Sequence, residues 1–177
     1  VQRLAAEAIE ALRRPGDGVS WVKPDNLHYT LRFIGEIGAD GLNRVTEAAR
    51  EAVAGRAAFA ATLGGLGAFP HPRGARVVWI GLTGGAEPLV DLARALDRSL
   101  QARGFGHPDH PFSAHITLGR VRTPGPDWTE RLAAAPAPDP AQARFTVDRL
   151  CVVESQLSPK GSTYTVRHGA RLGSEAE

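Results

Sequence analysis

Apolar residues recur every three to four positions in three stretches of the chain, which is the spacing of one helix face. The first stretch predicts a helix over residues 1–14. The second predicts a helix that Asp40 caps and that ends at Gly55. The third predicts a helix over residues 87–103 that ends at Gly104.

Between these helices, apolar and polar residues alternate, which predicts strands because successive strand side chains point to opposite faces. The alternation predicts strands over 19–23, 27–35, 59–63, 76–83, 112–121, 144–154 and 164–168. Residues 155–162 are expected to join the last two strands as a hairpin loop. The order of helices and strands predicts an α+β fold of two related halves, each a small sheet with helices on one side.

Two of the predicted strands carry the same short motif, a histidine followed two residues later by a threonine. His28 and Thr30 lie in the first of these strands, and His115 and Thr117 lie in the second. Within each strand the histidine and the threonine share one face, and apolar residues share the other. The repetition indicates a single site that is built from two half-sites.

Paired histidines suit the cleavage of a phosphodiester without a metal. One neutral imidazole can take a proton from the attacking water, while one protonated imidazole gives a proton to the leaving oxygen. Both forms coexist near neutral pH because an unperturbed histidine has a pKa of about 6.5. The threonine hydroxyls can donate hydrogen bonds to the phosphate oxygens, which gain charge in the transition state.

Each motif also contains an arginine that could bind the same phosphate. Alternation puts Arg32 on the face of His28 and Thr30. Alternation puts Arg120 on the face opposite His115, so Arg120 reaches the phosphate only if the strand ends or bulges at Gly119. The glycines of residues 64–67 predict a bulge or turn and not a phosphate loop, since the Gly-Lys-Ser/Thr ending is missing.

The composition is that of an ordinary globular protein. The chain has 177 residues, of which 42% are hydrophobic and 23% are charged, with a formal net charge of +2. Cys151 is the one cysteine, which excludes a disulfide within the chain, and we expect it to be a core residue. No apolar run is long enough to cross a membrane, and no signal-peptide pattern is visible. We expect a cytoplasmic monomer.

The two motifs resemble the His-hydrophobic-Thr-hydrophobic pair of the 2H phosphoesterase superfamily. More narrowly, the chain resembles the RNA 2',3'-cyclic phosphodiesterases, which are also called 2'-5' RNA ligases. The runs that carry this resemblance are NLHYTLRFIG at 26–35, GGLGAFP at 64–70, PFSAHITLGR at 111–120 and ESQLSP at 154–159.

This resemblance implies a bilobal fold in which two pseudo-twofold-related antiparallel sheets carry helices on the outside and the active site in a central cleft. It implies a single domain over residues 1–177, although the family begins with a strand before the first helix and this chain begins in that helix. The family's usual reaction opens an RNA-terminal 2',3'-cyclic phosphate to a 2'-phosphomonoester, without metal or cofactor.

The resemblance also assigns roles to the motif residues. It makes His28 and His115 catalytic, with His28 as the acid toward the 3'-oxygen and His115 as the base for water. It makes Thr30, Thr117 and Arg120 the phosphate-binding residues. RNA with a 2',3'-cyclic phosphate end is the expected partner.

Several alternatives remain open at this point. The same residues could catalyse 2'-5' RNA ligation, or the chain could be an RNA-binding module without catalytic activity. A metallohydrolase could use His107, Asp109 and His110, although these residues lie in a proline-rich loop without a regular ligand face. The aromatic residues Trp79, Phe112 and Tyr164 could each stack on a base or pack in the core, with the core as the more ordinary outcome.

Overall fold

A computed structural model describes residues 1–123, 127–158 and 161–173. The helices are α1 (Gln2–Leu12), α2 (Ala39–Val53), α3 (Ala86–Ala102), α4 (Thr129–Ala134) and α5 (Pro140–Ala143). The strands are β1 (Val19–Trp21), β2 (Phe59–Phe69), β3 (Val77–Gly84), β4 (Ile116–Val121), β5 (Arg144–Val147), β6 (Arg149–Ser158) and β7 (Gly161–Arg171). The predicted α+β class is confirmed.

The strands form two sheets among the described residues. One sheet has five strands in the order β1-β4-β3-β2-β5, and the other is the antiparallel pair of β6 and β7. In the larger sheet β4 pairs antiparallel with both β1 and β3, and β3 pairs antiparallel with β2. β4, at whose start the second motif lies, is therefore an inner strand of the sheet.

The chain divides into two compact units. The first unit contains residues 1–30, 61–86 and 114–145, and the second contains residues 31–60, 87–113 and 146–177. In the first unit, α1 packs against β4 through apolar residues at helical spacing. The core of this unit includes Leu4, Ile9, Leu12, Leu63, Val78, Ile80, Ile116 and Leu118. We call the sheet face that contributes to this cluster the core face.

In the second unit, α2 packs against the hairpin of β6 and β7. The apolar faces of α2 and α3 are buried, and Ser99 of α3 donates a hydrogen bond of 2.7 Å to the carboxylate of Glu51 on α2. Cys151 on β6 is exposed, so its prediction as a core residue is wrong. A two-stranded hairpin that is covered on one face leaves alternate residues of β6 open to solvent.

Several predicted boundaries differ from the structure. The strand predicted over 59–63 continues to Phe69 through an irregular stretch between Thr62 and Leu66, so the predicted bulge is present but does not end the strand. The strand predicted over 144–154 is divided at Asp148 into β5 and β6. The predicted loop 155–162 is mostly strand, and its residues 159–160 lie outside the described residues.

Asp40 does not cap α2, because the helix begins one residue before it, at Ala39, with Gly38 in the capping position. Asp40 lies instead in the first turn, where its negative charge is favourable to the helix dipole. None of the helices in the described parts of the chain is both long and apolar enough to cross a membrane.

Candidate active site

The first motif does not lie in a regular strand, so the strand predicted over 27–35 is wrong. A 3₁₀ turn at Pro24–Asn26 separates β1 from the first motif. Within the motif only Tyr29 pairs with the sheet, through an isolated antiparallel bridge with Ile116. Phe33, which alternation puts on the face opposite His28 and Thr30, is 80% exposed because the chain bends after the bridge.

The second motif lies at the start of β4. This strand begins at Ile116, so the predicted start at residue 112 is wrong, and His115 directly precedes the strand. Ile116 and Leu118 are 1% and 0% exposed, as the alternation predicts for core residues. His115 and Thr117 are half-buried, on the other side of the strand.

The bridge between the motifs brings their polar residues to one surface. In an antiparallel pair, the residues that flank a bridge lie opposite one another. His28 therefore lies beside Thr117, and Thr30 lies beside His115. The two histidines are then diagonal to one another across the bridge. We call the sheet face that carries these four side chains the motif face.

A backbone carbonyl fixes the ring of His28. Nδ1 of His28 lies 2.6 Å from the carbonyl oxygen of Asn26. Because a carbonyl only accepts hydrogen bonds, this contact requires the imidazole to donate from Nδ1. The residue as a whole is exposed.

Two aromatic rings contact His115. The ring of Phe69 lies 5.0 Å from the imidazole at 84°, an edge-to-face arrangement, and the ring of Trp79 lies 6.2 Å away at 58°. Trp79 lies against the backbone of Gly67, where a Cβ would come within 2.2 Å of Trp79 Cζ2. A glycine at this position is therefore required for Trp79 to reach its place beside His115.

A bulge in β4 changes the alternation after the second motif. Val78 of β3 pairs with Gly119, but the next residue of β3, Trp79, pairs with Thr117. Leu118 is thus the extra residue, and the side chains that follow it are shifted by one position relative to β3.

The bulge turns Arg120 to the motif face. Arg120 pairs with Val77 of β3, which shares the motif face, and with Ser20 of β1. Gly119 lies on the core face, where an added Cβ would come within 2.7 Å of Val19 Cγ1. The sequence made the face of Arg120 depend on a strand end or bulge at Gly119, and the structure has a bulge one residue earlier, at Leu118.

The side chain of Arg32 contacts residues of the second unit and not the first motif. In the second unit, Arg32 Nη1 lies 3.6 Å from Asp97 Oδ1, with side chains that are 11% and 18% exposed. Arg32 Nη2 donates a hydrogen bond of 2.7 Å to the carbonyl of Gly106. Because its charge is already paired with a carboxylate, the structure gives Arg32 a structural role in the second unit.

Tyr29 lies between the two residues of the first motif, but it belongs to the core face. Its hydroxyl donates a hydrogen bond of 3.4 Å to the carbonyl of Gly81. Burial raises the pKa of Tyr29 well above its ordinary value of 10.0. The phenol therefore stays protonated at neutral pH and is not a candidate base.

The loop histidines do not form a metal centre in the part of the chain that the structure describes. There, no group of three or more His, Cys, Asp and Glu side chains is arranged to hold a metal ion. The triad predicted for the metallohydrolase alternative, His107, Asp109 and His110, therefore does not converge.

Sequence reasoning missed Phe69 as a neighbour of His115. The predicted strand ended at residue 63, so nothing indicated that residues 67 and 69 share a face with Trp79. If the alternation is continued through the glycines of residues 64–67, Phe69 falls on the same face as Gly67. A bulge changes the pairing register of a strand but does not end the strand. The sequence did not decide whether Trp79 stacks on a base or packs in the core. In the structure its ring lies beside that of His115.

Comparison with known proteins gives a consistent set of relatives. The model of the 2'-5' RNA ligase superfamily matches residues 1–158. A Methanothermobacter thermautotrophicus protein named RNA 2',3'-cyclic phosphodiesterase is 34% identical over 165 residues, which are 92% of this chain and 88% of that protein. An Archaeoglobus fulgidus protein of the same name is 37% identical over 147 residues, which are 83% of this chain and 80% of that protein.

Solved structures share the fold. The crystal structure of TT0787 of Thermus thermophilus has a TM-score of 0.79 and 30% identity, and the match covers 99% of this chain and 95% of that chain. Escherichia coli LigT complexed with 3'-AMP has a TM-score of 0.75 and 25% identity, with 98% and 94% of the two chains covered. These matches confirm the α+β fold with antiparallel sheets that the sequence resemblance implied.

Proposed function

The chain belongs to the 2'-5' RNA ligase superfamily, and from this membership we propose that it hydrolyses an RNA-terminal 2',3'-cyclic phosphate to a 2'-phosphomonoester. His28 and His115 act as acid and base, and the reaction uses no metal or cofactor. The observation that carries the proposal is the bridge that brings the two His-x-Thr motifs side by side. The names of two relatives support the substrate class.

In the proposed reaction, a water oxygen attacks the phosphorus and the bond from phosphorus to the 3'-oxygen breaks. His115 takes a proton from the water, and protonated His28 gives its proton to the departing 3'-oxygen. The products are a 2'-phosphomonoester and a 3'-hydroxyl, with His115 protonated and His28 neutral. Proton exchange with solvent then restores both rings. Each positioned histidine is expected to raise the rate of hydrolysis by about 10²–10⁴-fold.

The contact from His28 to Asn26 supports a role in proton transfer. A carbonyl accepts from Nδ1 whether or not Nε2 carries a proton, so the ring keeps one orientation through the cycle. The diagonal placement of the histidines supports opposite roles, because a phosphate between them presents its attacking and leaving oxygens on opposite sides.

Thr30, Thr117 and Arg120 would bind the non-bridging phosphate oxygens. Hydroxyls donate hydrogen bonds without adding negative charge, and a guanidinium matches the geometry of phosphate. These groups stabilise the charge that grows on phosphate in the transition state. The bulge that turns Arg120 to the motif face supports its inclusion.

The test is hydrolysis of a short RNA that ends in a 2',3'-cyclic phosphate, with a chelator in excess and with a 5'-hydroxyl RNA present. We expect turnover to a 2'-phosphate, identified against standards of both phosphate isomers. Arg13→Gln removes an exposed charge from the end of α1, outside the motif face, and serves as the control.

Other outcomes identify the alternatives. RNA that binds without turnover would indicate a binding module. Turnover that the chelator abolishes would overturn the metal-free mechanism. A joined 2'-5' product in preference to the 2'-phosphate would indicate that ligation is the main reaction of the same residues.

A further inference from the structure

A row of basic side chains continues the motif face beyond the bulge of β4. Arg120 and Arg122 are two residues apart, so they point to the same side of the chain. The hydroxyl of Ser20, the residue that pairs with Arg120, accepts a hydrogen bond of 2.8 Å from Nε of Arg122. The backbone N–H of Arg122 donates to the carbonyl of Gly18 at 2.8 Å. Both the main chain and the side chain of Arg122 are therefore held at β1.

The charges of this row are not neutralised within the described residues. Arg120 and Arg122 are exposed, and no carboxylate of the described residues forms an ion pair with either. Four arginines of the first unit do have acidic partners: Arg3 with Glu7, Arg13 with Glu10, Arg73 with Asp127 and Arg131 with Asp17. Arg14, Arg76 and Arg144 form no ion pair with the described carboxylates either, but they do not continue the motif face from Arg120. A guanidinium that is held in place beside a catalytic surface, with its charge uncompensated, is suited to an external anion.

We propose that Arg122, positioned by Ser20, binds the phosphodiester on the 5' side of the terminal nucleotide. This subsite rests on the proposed function and deepens it, because it makes an oligonucleotide, and not a single nucleotide, the preferred substrate. The terminal cyclic phosphate lies at the two motifs, and the next phosphate lies farther along β4.

The spacing along β4 supports this arrangement. A two-residue step in a strand is about 6.7 Å, since each residue rises about 3.3–3.4 Å. Successive phosphates of a single RNA strand are separated by a similar distance. Arg120 beside the reacting phosphate and Arg122 beside the next one therefore match the repeat of the backbone. Contacts of this kind are independent of base sequence.

The experiment compares two substrates, an RNA oligonucleotide with a 2',3'-cyclic phosphate end and a nucleoside 2',3'-cyclic phosphate. kcat/KM is measured for wild type, Arg122→Gln, Ser20→Ala and the control Arg13→Gln over a range of salt concentrations. Arg122→Gln should lower kcat/KM for the oligonucleotide about tenfold more than for the nucleotide. It should also reduce the slope of log kcat/KM against log salt by about 0.7, the value for one phosphate contact of a single strand.

Ser20→Ala should give a smaller loss of the same kind, because it keeps the charge and removes only the hydrogen bond that positions it. Arg13→Gln should change neither the substrate ratio nor the salt slope beyond wild type. A thermal melt of each variant separates binding from folding, and Arg122→Lys retains the charge in case Arg122→Gln unfolds.

If Arg122→Gln lowers kcat/KM equally for both substrates, or for neither, the proposed subsite is wrong. Failure of the proposed function would be a different result, namely that wild type turns over neither substrate. The two failures are therefore distinguishable in one set of measurements.

Discussion

Tyr29 and Ile116 pair across an isolated antiparallel bridge, and this pairing decides which side chains of two distant segments share a surface. Both partners belong to the core face, where Ile116 is buried and the ring of Tyr29 stacks on Phe145 at 6.1 Å. The residues on either side of each partner therefore point the other way. The pairing of Tyr29 with Ile116 therefore puts the histidine and threonine side chains of both motifs on the motif face.

The roles of the two histidines can be separated with a substrate whose leaving group needs no proton. Bis(4-nitrophenyl) phosphate releases a stable phenolate, so it bypasses the general acid and still needs the base. If His28 is the acid, His28→Ala should retain most of its activity on this substrate, whereas His115→Ala should lose about 10²–10⁴ in rate. The reverse pattern would exchange the two assignments.

Gly67→Ala should disturb the support of His115. The new Cβ would lie 2.2 Å from Trp79 Cζ2, so the indole must move away from the imidazole. We expect a loss of about 1–3 kcal/mol in the free energy of unfolding, as for other overpacked sites, and a lower kcat. Calorimetry and the hydrolysis assay measure the two effects.

The matched control for this change is Gly106→Ala, because an added Cβ at Gly106 meets nothing within 4 Å. This variant should keep both the melting temperature and the rate of wild type. A Gly67→Ala protein with wild-type stability and turnover would show that the position of Trp79 is unimportant for His115.

Local patterns in the sequence predict much of this fold because they depend on neighbouring residues. Helical spacing gives α1 and α3 to within two residues of their ends. The shared face of His28 and Thr30 is predicted although their strand is not, because alternation needs only a locally extended backbone and not a continuous ladder.

The sequence predicts less where a distant partner decides the outcome. Arg32 has the same local pattern as a phosphate ligand, and only the approach of Asp97 from α3 removes it from that role. The face of Arg120 depends on the bulge at Leu118, which is a matter of register with β3 and is not encoded by the residues of β4 alone.

Arg120 and Arg32 should respond differently to the same substitution. Arg120→Gln should lower turnover about 10²-fold, as for loss of one transition-state donor, and leave the melting temperature unchanged because its side chain is exposed. Arg32→Gln should lower the free energy of unfolding by about 1–3 kcal/mol, because it leaves the half-buried carboxylate of Asp97 without its countercharge.

Denaturant unfolding and the hydrolysis assay on both proteins measure this contrast. If Arg32→Gln is as stable as wild type and impairs turnover more than Arg120→Gln, then Arg32 and not Arg120 binds the phosphate.

Asp17 and Arg131 form an ion pair that links the loop after α1 to α4. Nη2 of Arg131 lies 2.6 Å from Oδ2 of Asp17, with side chains that are 16% and 10% exposed, and Nε of Arg131 donates to the carbonyl of Leu12 at 2.6 Å. Burial alone raises the pKa of Asp17, but the hydrogen bonds from Arg131 and from two backbone N–H groups outweigh it and hold that pKa below its ordinary value of 3.8.

A carboxylate with a lowered pKa in the folded state stabilises the protein only while it is ionised. Its contribution is present above the unfolded pKa of 3.8 and is lost as the pH falls through the lower folded value. Asp17→Asn should therefore lower the free energy of unfolding at neutral pH, and the difference from wild type should shrink below pH 3.8.

Denaturant unfolding at neutral and acidic pH measures this effect. Glu10→Gln, which removes the carboxylate of an exposed pair with Arg13, is the control and should have a much smaller effect. A cost for Asp17→Asn that does not depend on pH would mean that the side chain stabilises the loop by shape and not by charge.

Turnover of the cyclic-phosphate RNA by His28→Ala, His115→Ala and the double variant, with chelator present, shows whether the two histidines carry the reaction. We expect each single variant to lose about 10²–10⁴ in kcat and the double variant to lose much less than the product of the two losses, because the histidines act as a pair. Wild-type turnover in either single variant would mean that the two histidines are not the acid and the base.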